Sequence, residues 1–179
     1  MSIRSFRWGS VAVLAWAVCC AGAVAKEDAL RVSLVKSAGV NREGEERFFE
    51  PAGRVIEVER QPLHLLIEVK NISDSTARAR GNDETSYSFE ITDPSGKVTL
   101  MTRKKKVGEQ SSLQVFKNLN PGEAVIITID ADRDVWEQVP VLVYGKKQTL
   151  KIRVIYHNYN DHLVYSPVYT LIWAVGSAS

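Results

Sequence analysis

The stretch Leu63–Asn71 reads Leu-His-Leu-Leu-Ile-Glu-Val-Lys-Asn, and it limits the possible fold more than any other part of the chain. Leu63, Leu65, Ile67 and Val69 share one face of an extended backbone, while His64, Glu68 and Lys70 share the other. Successive side chains of a strand point to opposite faces, so this pattern predicts a half-buried strand with one core side. Most of the remaining chain predicts further strands that cover that apolar face.

The same alternation recurs. Leu30, Val32 and Leu34 alternate with Arg31 and Ser33, a charged loop follows at Asn41 to Arg47, and Val55 to Val58 is a brief strand. Ser73 to Glu84 is polar and reads as a loop, after which Tyr87, Phe89 and Ile91 alternate with Ser86, Ser88 and Glu90. Asp93-Pro94-Ser95-Gly96 fits a type I turn: Asp accepts from the turn backbone, Pro presets φ, and Gly suits the fourth position. Lys97 to Thr102 returns as the partner strand, and Leu113 to Phe116 is another. The turn Asn118 to Glu123 feeds Ala124 to Ile129, an apolar run long enough for a strand and too short for a helix. Asp130 to Glu137 predicts a short helical turn, with its early acids near the positive end of the local dipole. Pro140 and Gly145 bracket a strand at Val141 to Tyr144. Leu150, Ile152, Val154 and Tyr156 form the next alternating set, Asn158 to Asp161 is a hairpin loop, and Leu163 to Val175 closes the series with a break near Pro167. Roughly eight or nine strands at intervals of about ten residues predict an all-β antiparallel sandwich, with a closed barrel as the competing architecture.

The first 25 residues stand apart. Arg4 and Arg7 precede an apolar run from Val11 to Val18, and Ala23-Val24-Ala25 places small residues where a signal peptidase reads. Cleavage is expected before Lys26, leaving a single domain over 26–179 with its best-defined strands in 62–175 and a tail at 176–179. The competing reading is a retained anchor helix, because Trp8 to Ala25 is close to the lower limit of about 17 apolar residues for a bilayer span. Once cleaved, the chain has no transmembrane segment. Removing Arg4 and Arg7 from 23 basic residues leaves 21 against 21 acidic ones, so the basic excess belongs to the export signal and gives no reason to expect nucleic acid. Cys19 and Cys20 are the two cysteines of the chain, and both lie in the signal. The mature domain therefore has no disulfide, thiolate metal site or cysteine nucleophile, and its core must hold it.

The order Leu65-x-Ile67-x-Val69-x-Asn71-x-Ser73, Phe89-x-Ile91-x-Asp93-Pro94-x-Gly96, Leu119-x-Pro121-Gly122-Glu123 and Leu150-x-Ile152-x-Val154-x-Tyr156 resembles the immunoglobulin-like or fibronectin-like domains of exported bacterial proteins. More loosely it is similar to the BsuPI-type intracellular proteinase inhibitor domain. The resemblance covers residues 63–175 and consists of strand and turn grammar. It lacks the Cys…Trp…Cys spacing of antibody domains. It implies a domain that binds or bridges, an inference from fold alone.

Several residues are candidates for a site. His157 and His162 flank a short loop with Asp161 nearby and offer two imidazoles to Zn²⁺ or Cu²⁺, although a third ligand is not evident and exposed loop histidines are the plainer reading. Asp130-x-Asp132-x-Asp134 resembles the start of a calcium loop, but Val135 and Val141 stand where that loop needs Gly and Glu. Arg103-Lys104-Lys105-Lys106 is a basic cluster that suits an acidic partner or a solvated loop. Tyr169, Leu171 and Trp173 form one face of a closing strand whose other face, Val168, Ile172 and Ala174, is also apolar; a sandwich strand needs only one apolar face, so the second is either covered by the N-terminal segment or a loop, the plainer reading, or left as an exposed aromatic patch that docks a protein or a sugar ring. Asn71-Ile72-Ser73 matches the N-glycosylation acceptor, which matters only in a eukaryotic secretory route.

No nucleophile elbow, zinc-protease helix, phosphate loop or dinucleotide fingerprint occurs. No cofactor is implied. The expectation is an exported, periplasmic or secreted, non-catalytic binding protein whose partner is a protein or an envelope component. The alternatives are a proteinase inhibitor presenting a loop such as Arg103–Gln110, and a carbohydrate-binding module.

Overall fold

The computed structural model describes residues 29–59, 62–80, 84–104, 116–141, 145–159 and 162–174. The expected signal peptide with both cysteines, Lys105, Lys106 and the rest of the expected inhibitor loop to Gln110, most of the expected strands at Leu113–Phe116 and Val141–Tyr144, Asp161, Val175 and the tail at 176–179 lie outside the described residues. The described chain is all β. Its strands are β1 (Leu30–Val40), β2 (Glu46–Phe49), β3 (Val55–Val58), β4 (Leu63–Asn71), β5 (Ala77–Arg80), β6 (Tyr87–Thr92), β7 (Val98–Arg103), β8 (Phe116–Leu119), β9 (Ala124–Ala131), β10 (Trp136–Glu137), β11 (Lys147–His157), β12 (Leu163–Tyr165) and β13 (Tyr169–Ala174).

These strands form three sheets, none closed into a barrel. A smaller sheet runs β2-β1-β4-β9, a large sheet runs β10-β7-β6-β11-β13-β3 with β12 also on β11, and β5 pairs with β8 as a ribbon. All pairings are antiparallel except β13 with β3. β4 is buried at every second residue from Leu63 to Asn71, as its alternation requires, and it lies between β1 and β9 so that both of its edges are paired. Its apolar face meets Tyr87, Phe89 and Ile91 of β6 and Leu150, Ile152, Val154 and Tyr156 of β11 in one buried cluster. Sequestering those side chains from water is the main driving force for assembly, about 1.5–3 kcal/mol for each large aliphatic or aromatic group.

The turn at 93–97 forms as expected. Asp93 Oδ1 accepts from the Ser95 N–H at 2.8 Å, Gly96 N–H donates to Asp93 C=O at 3.0 Å, and Gly96 takes φ +87°, a left-handed conformation that favours glycine. The break at Pro167 also has a local cause. Proline has no N–H for the ladder, and the register of β11 shifts by one residue between β12 and β13. Ser166 repairs the gap: its N–H donates to Val154 C=O, and its hydroxyl oxygen accepts the Val154 N–H, both at 2.9 Å.

Other expectations fare differently. β5 falls in a segment that reads as a loop, β2 begins inside one, and β8 runs on through Asn118 and Leu119, which read as the start of a turn. The segment 130–137 is a strand end, one tight turn in which the Val135 and Trp136 N–H groups both donate to Asp132 C=O, and β10. Trp136 is buried there with its ring edge-on to Phe89, centroids 5.4 Å apart.

Candidate functional site

The aromatic face expected to dock a partner is turned inward. Tyr169, Leu171 and Trp173 are 0%, 0% and 2% exposed, so that docking face is corrected to core. β11 and β3 flank β13, and the three side chains enter the cluster shared by the two main sheets. The Tyr169 hydroxyl donates to Glu50 at 2.7 Å, and burial and the neighbouring carboxylate both raise its pKa. The opposite face, with Val168 exposed and Thr170 and Ile172 half-buried, is the one that meets water.

The basic run is partly tied down. Arg103 is half-buried and sits opposite Trp136 in the β7–β10 pairing. The Lys104 ammonium donates to Arg133 C=O at 2.6 Å, which holds it against the turn that precedes β10. The two histidines make separate contacts. His157 Nε2 shares a 2.9 Å hydrogen bond with the Ser88 hydroxyl, while His162 is exposed and closes the hairpin through its carbonyl, which accepts the Asn158 N–H. His64 is engaged elsewhere, 2.7 Å from Asp130 directly across β4 and β9. Asp132 accepts the Asp134 N–H. Among the described residues, no three His, Cys, Asp or Glu side chains gather as a metal site. Asn71 is fully buried with its amide occupied in the fold, so its side chain is no glycan acceptor here.

A different surface carries the features of a contact site. On the outer face of the large sheet, Leu100 of β7, Glu90 of β6 and Arg153 of β11 lie in one cross-strand row. Arg153 and Glu90 form an ion pair at 2.6 Å, and the guanidinium lies over the Tyr165 ring with its carbon 4.9 Å from the centroid. Both carboxylate and guanidinium are about two-thirds buried. Around this pair stand Val98, Leu100, Tyr165 and Val168, 57%, 50%, 49% and 47% exposed. A shallow cleft of about 460 Å³ runs between Glu90, Lys151, Arg153 and Val168. The arrangement offers apolar contact area around a fixed charge pair. The signal was present in the sequence: Val98, Leu100 and Met101 put apolar groups on both faces of a strand whose neighbours bury only one.

A second cleft, about 570 Å³, lies between the 93–97 turn and residues 138–141, over Ile91 and Leu150. Its one lining acid, Asp93, is committed to the turn, and the hydrogen bonds it accepts from Ser95 and Lys97 hold its pKa below the ordinary value. The described residues form no helix long and apolar enough to cross a membrane.

No family model and no curated protein matches the chain. Among solved structures, the chain is similar to a structural-genomics target designated SoR45, at 12% identity over 85% of this chain and 91% of the other, with a TM-score of 0.35. It is also similar to a Bordetella pertussis protein given the name ApaA, at 16% identity over 83% and 95%, with a TM-score of 0.34.

Proposed function

We propose that this chain is an exported, non-catalytic binding domain, folded as an immunoglobulin-like sandwich, that contacts a protein or envelope component through the outer face of its large sheet. The strand order supports the fold reading. β1-β4-β9 follows the A-B-E order of that architecture and β7-β6-β11-β13 follows C′-C-F-G, with β3 alongside. The charged n-region, apolar run and small-residue site of residues 1–25 support export to the periplasm or beyond.

The observation that carries the binding reading is the exposed set Val98, Leu100, Tyr165 and Val168 around the Glu90–Arg153 pair. Exposed apolar groups grouped on one face mark interaction surfaces, and aromatic and Arg side chains supply much of the energy at such surfaces. The test is affinity capture from the native envelope fraction with the wild type and with Leu100→Asp and Tyr165→Ala variants. The expected result is a partner retained by the wild type and lost by both variants at unchanged melting temperature. A partner held equally by all three proteins would reject this face.

A further inference from the structure

Sheet edges present unpaired N–H and C=O groups, and proteins ordinarily blunt them with short strands, charges, proline or coverage. Among the described residues, nearly every sheet edge is treated so. β2 is four residues long and opens with Glu46 and Arg47, β3 is four residues long with Glu57, and β10 has two residues. The β5–β8 ribbon carries Arg78, Arg80 and Lys117, and β12 ends before Pro167. β7 is covered at Thr102 and Arg103 by β10, which among the described residues leaves only Val98 to Met101 open. β1 between Leu30 and Val35 is buried at every residue but Arg31 and lies against β11 and β12.

β9 is the exception. It is eight residues long, pairs with β4 on one side, and has no strand on its other side among the described residues. From Ala124 to Ile129 it reads Ala-Val-Ile-Ile-Thr-Ile, with no charge, proline or glycine. A long uncharged edge rich in β-branched residues is a template for strand addition.

We infer that β9 pairs antiparallel with β9 of a second copy about a two-fold axis at Ile127, joining the two smaller sheets into one. The strand is self-complementary in that register. Val125 meets Ile129 of the second copy, Ile126 meets Thr128, and Ile127 meets itself, so β-branched residues face one another across the seam. The one acidic residue of the strand, Asp130, falls opposite Ala124 of the second copy. Ala124 lies in the same cross-strand row as Lys70 and Arg31, so the symmetric contact places each acid at the end of a basic row. No like charges are opposed. A two-fold contact of this kind is closed, and it consumes the edge that would otherwise propagate.

The experiment is sedimentation equilibrium of the purified native protein from micromolar to submillimolar concentration, with hydrogen exchange at each. A reversible dimer is expected, with outward-facing amides of Ala124–Ala131 gaining protection as concentration rises. Thr128 is exposed, and Thr128→Lys sets an ammonium against Ile126 of the second copy; it should weaken the dimer by about tenfold or more. Ile126→Lys should do the same. A monomer throughout, open-ended association into larger species, or a dimer unaffected by both variants with β9 amides unprotected would each overturn the inference.

Discussion

The phenol of Tyr156 accepts the Arg80 N–H at 2.5 Å and donates to the Arg80 C=O at 3.0 Å. One side chain at the end of β11 thereby occupies both polar groups of the last residue of β5. The ribbon gains a second attachment at the same end, where Arg78 lies over Phe116 and Tyr159 with its guanidinium carbon 4.1 and 5.4 Å from the ring centroids.

Tyr156→Phe keeps the ring and its packing against Tyr87 but removes the hydroxyl, so the Arg80 backbone loses its donor and acceptor together. Leaving a buried polar group unsatisfied costs about 1–3 kcal/mol. Denaturant unfolding should show a loss of that order. Hydrogen exchange should locate it, with the Arg80 amide and the β5–β8 ribbon exchanging faster while β4 stays protected.

Alkaline pH should act through the same residue. Burial pushes the Tyr156 hydroxyl from its ordinary value of 10 up to about 12, against the smaller opposing effect of the Arg80 backbone bond, and Tyr169 is raised by burial and by Glu50. In the unfolded chain these phenols ionise near 10, while the fold holds them neutral. Their contribution is therefore complete below pH 10 and is lost as the pH rises through about 12. Urea melts across that interval should show falling stability, with a smaller fall in Tyr156→Phe because one of the two groups is gone.

Asn71 is the polar counterpart in the core. Its amide nitrogen donates to Leu119 C=O at 2.9 Å and Ser75 C=O at 2.7 Å, and its Oδ1 accepts from the Ser73 N–H and hydroxyl. Asn71→Ala should cost about 2–4 kcal/mol, since more than one buried partner is left open. A chevron or equilibrium melt measures it, and a loss below about 0.5 kcal/mol would show that water replaces the amide without penalty.

Ser166→Ala tests the repair beside Pro167. Without the hydroxyl, the buried Val154 N–H has no acceptor, and a destabilisation of about 1–3 kcal/mol should follow. Ser166→Thr keeps the oxygen and should recover most of it. If Ala and Thr behave alike, the hydroxyl is not what completes the ladder.

Much of this fold could be read from residue order because period-two alternation is a direct record of a half-buried strand. β4 and β6 emerge nearly as expected, as does the turn at Asp93, where each residue type has a separate conformational reason to be present. β5 escaped notice because its buried residues are Ala77 and Ala79, too small to register as an apolar face among arginines. Trp136 was hidden behind three acids that resemble a helix start. The burial of Tyr169, Leu171 and Trp173 was legible only as one of two possibilities, since a strand apolar on both sides does not say which side the other sheet will cover. The outer-face cluster needed the register itself, because Arg153 lies 63 residues along the chain from Glu90, the acid it pairs with.

The one parallel pairing among the described residues, β3 beside β13, has a mechanical consequence. A tensile load drawn along the chain beyond Ala174 against whatever precedes Val55 pulls these neighbours lengthwise past each other. Rungs arranged side by side under such shear must rupture collectively, whereas an antiparallel hairpin loaded from its open end unzips one rung at a time. Stretching this polypeptide should therefore meet its stiffest resistance at the seam holding Val55–Val58 to Thr170–Trp173.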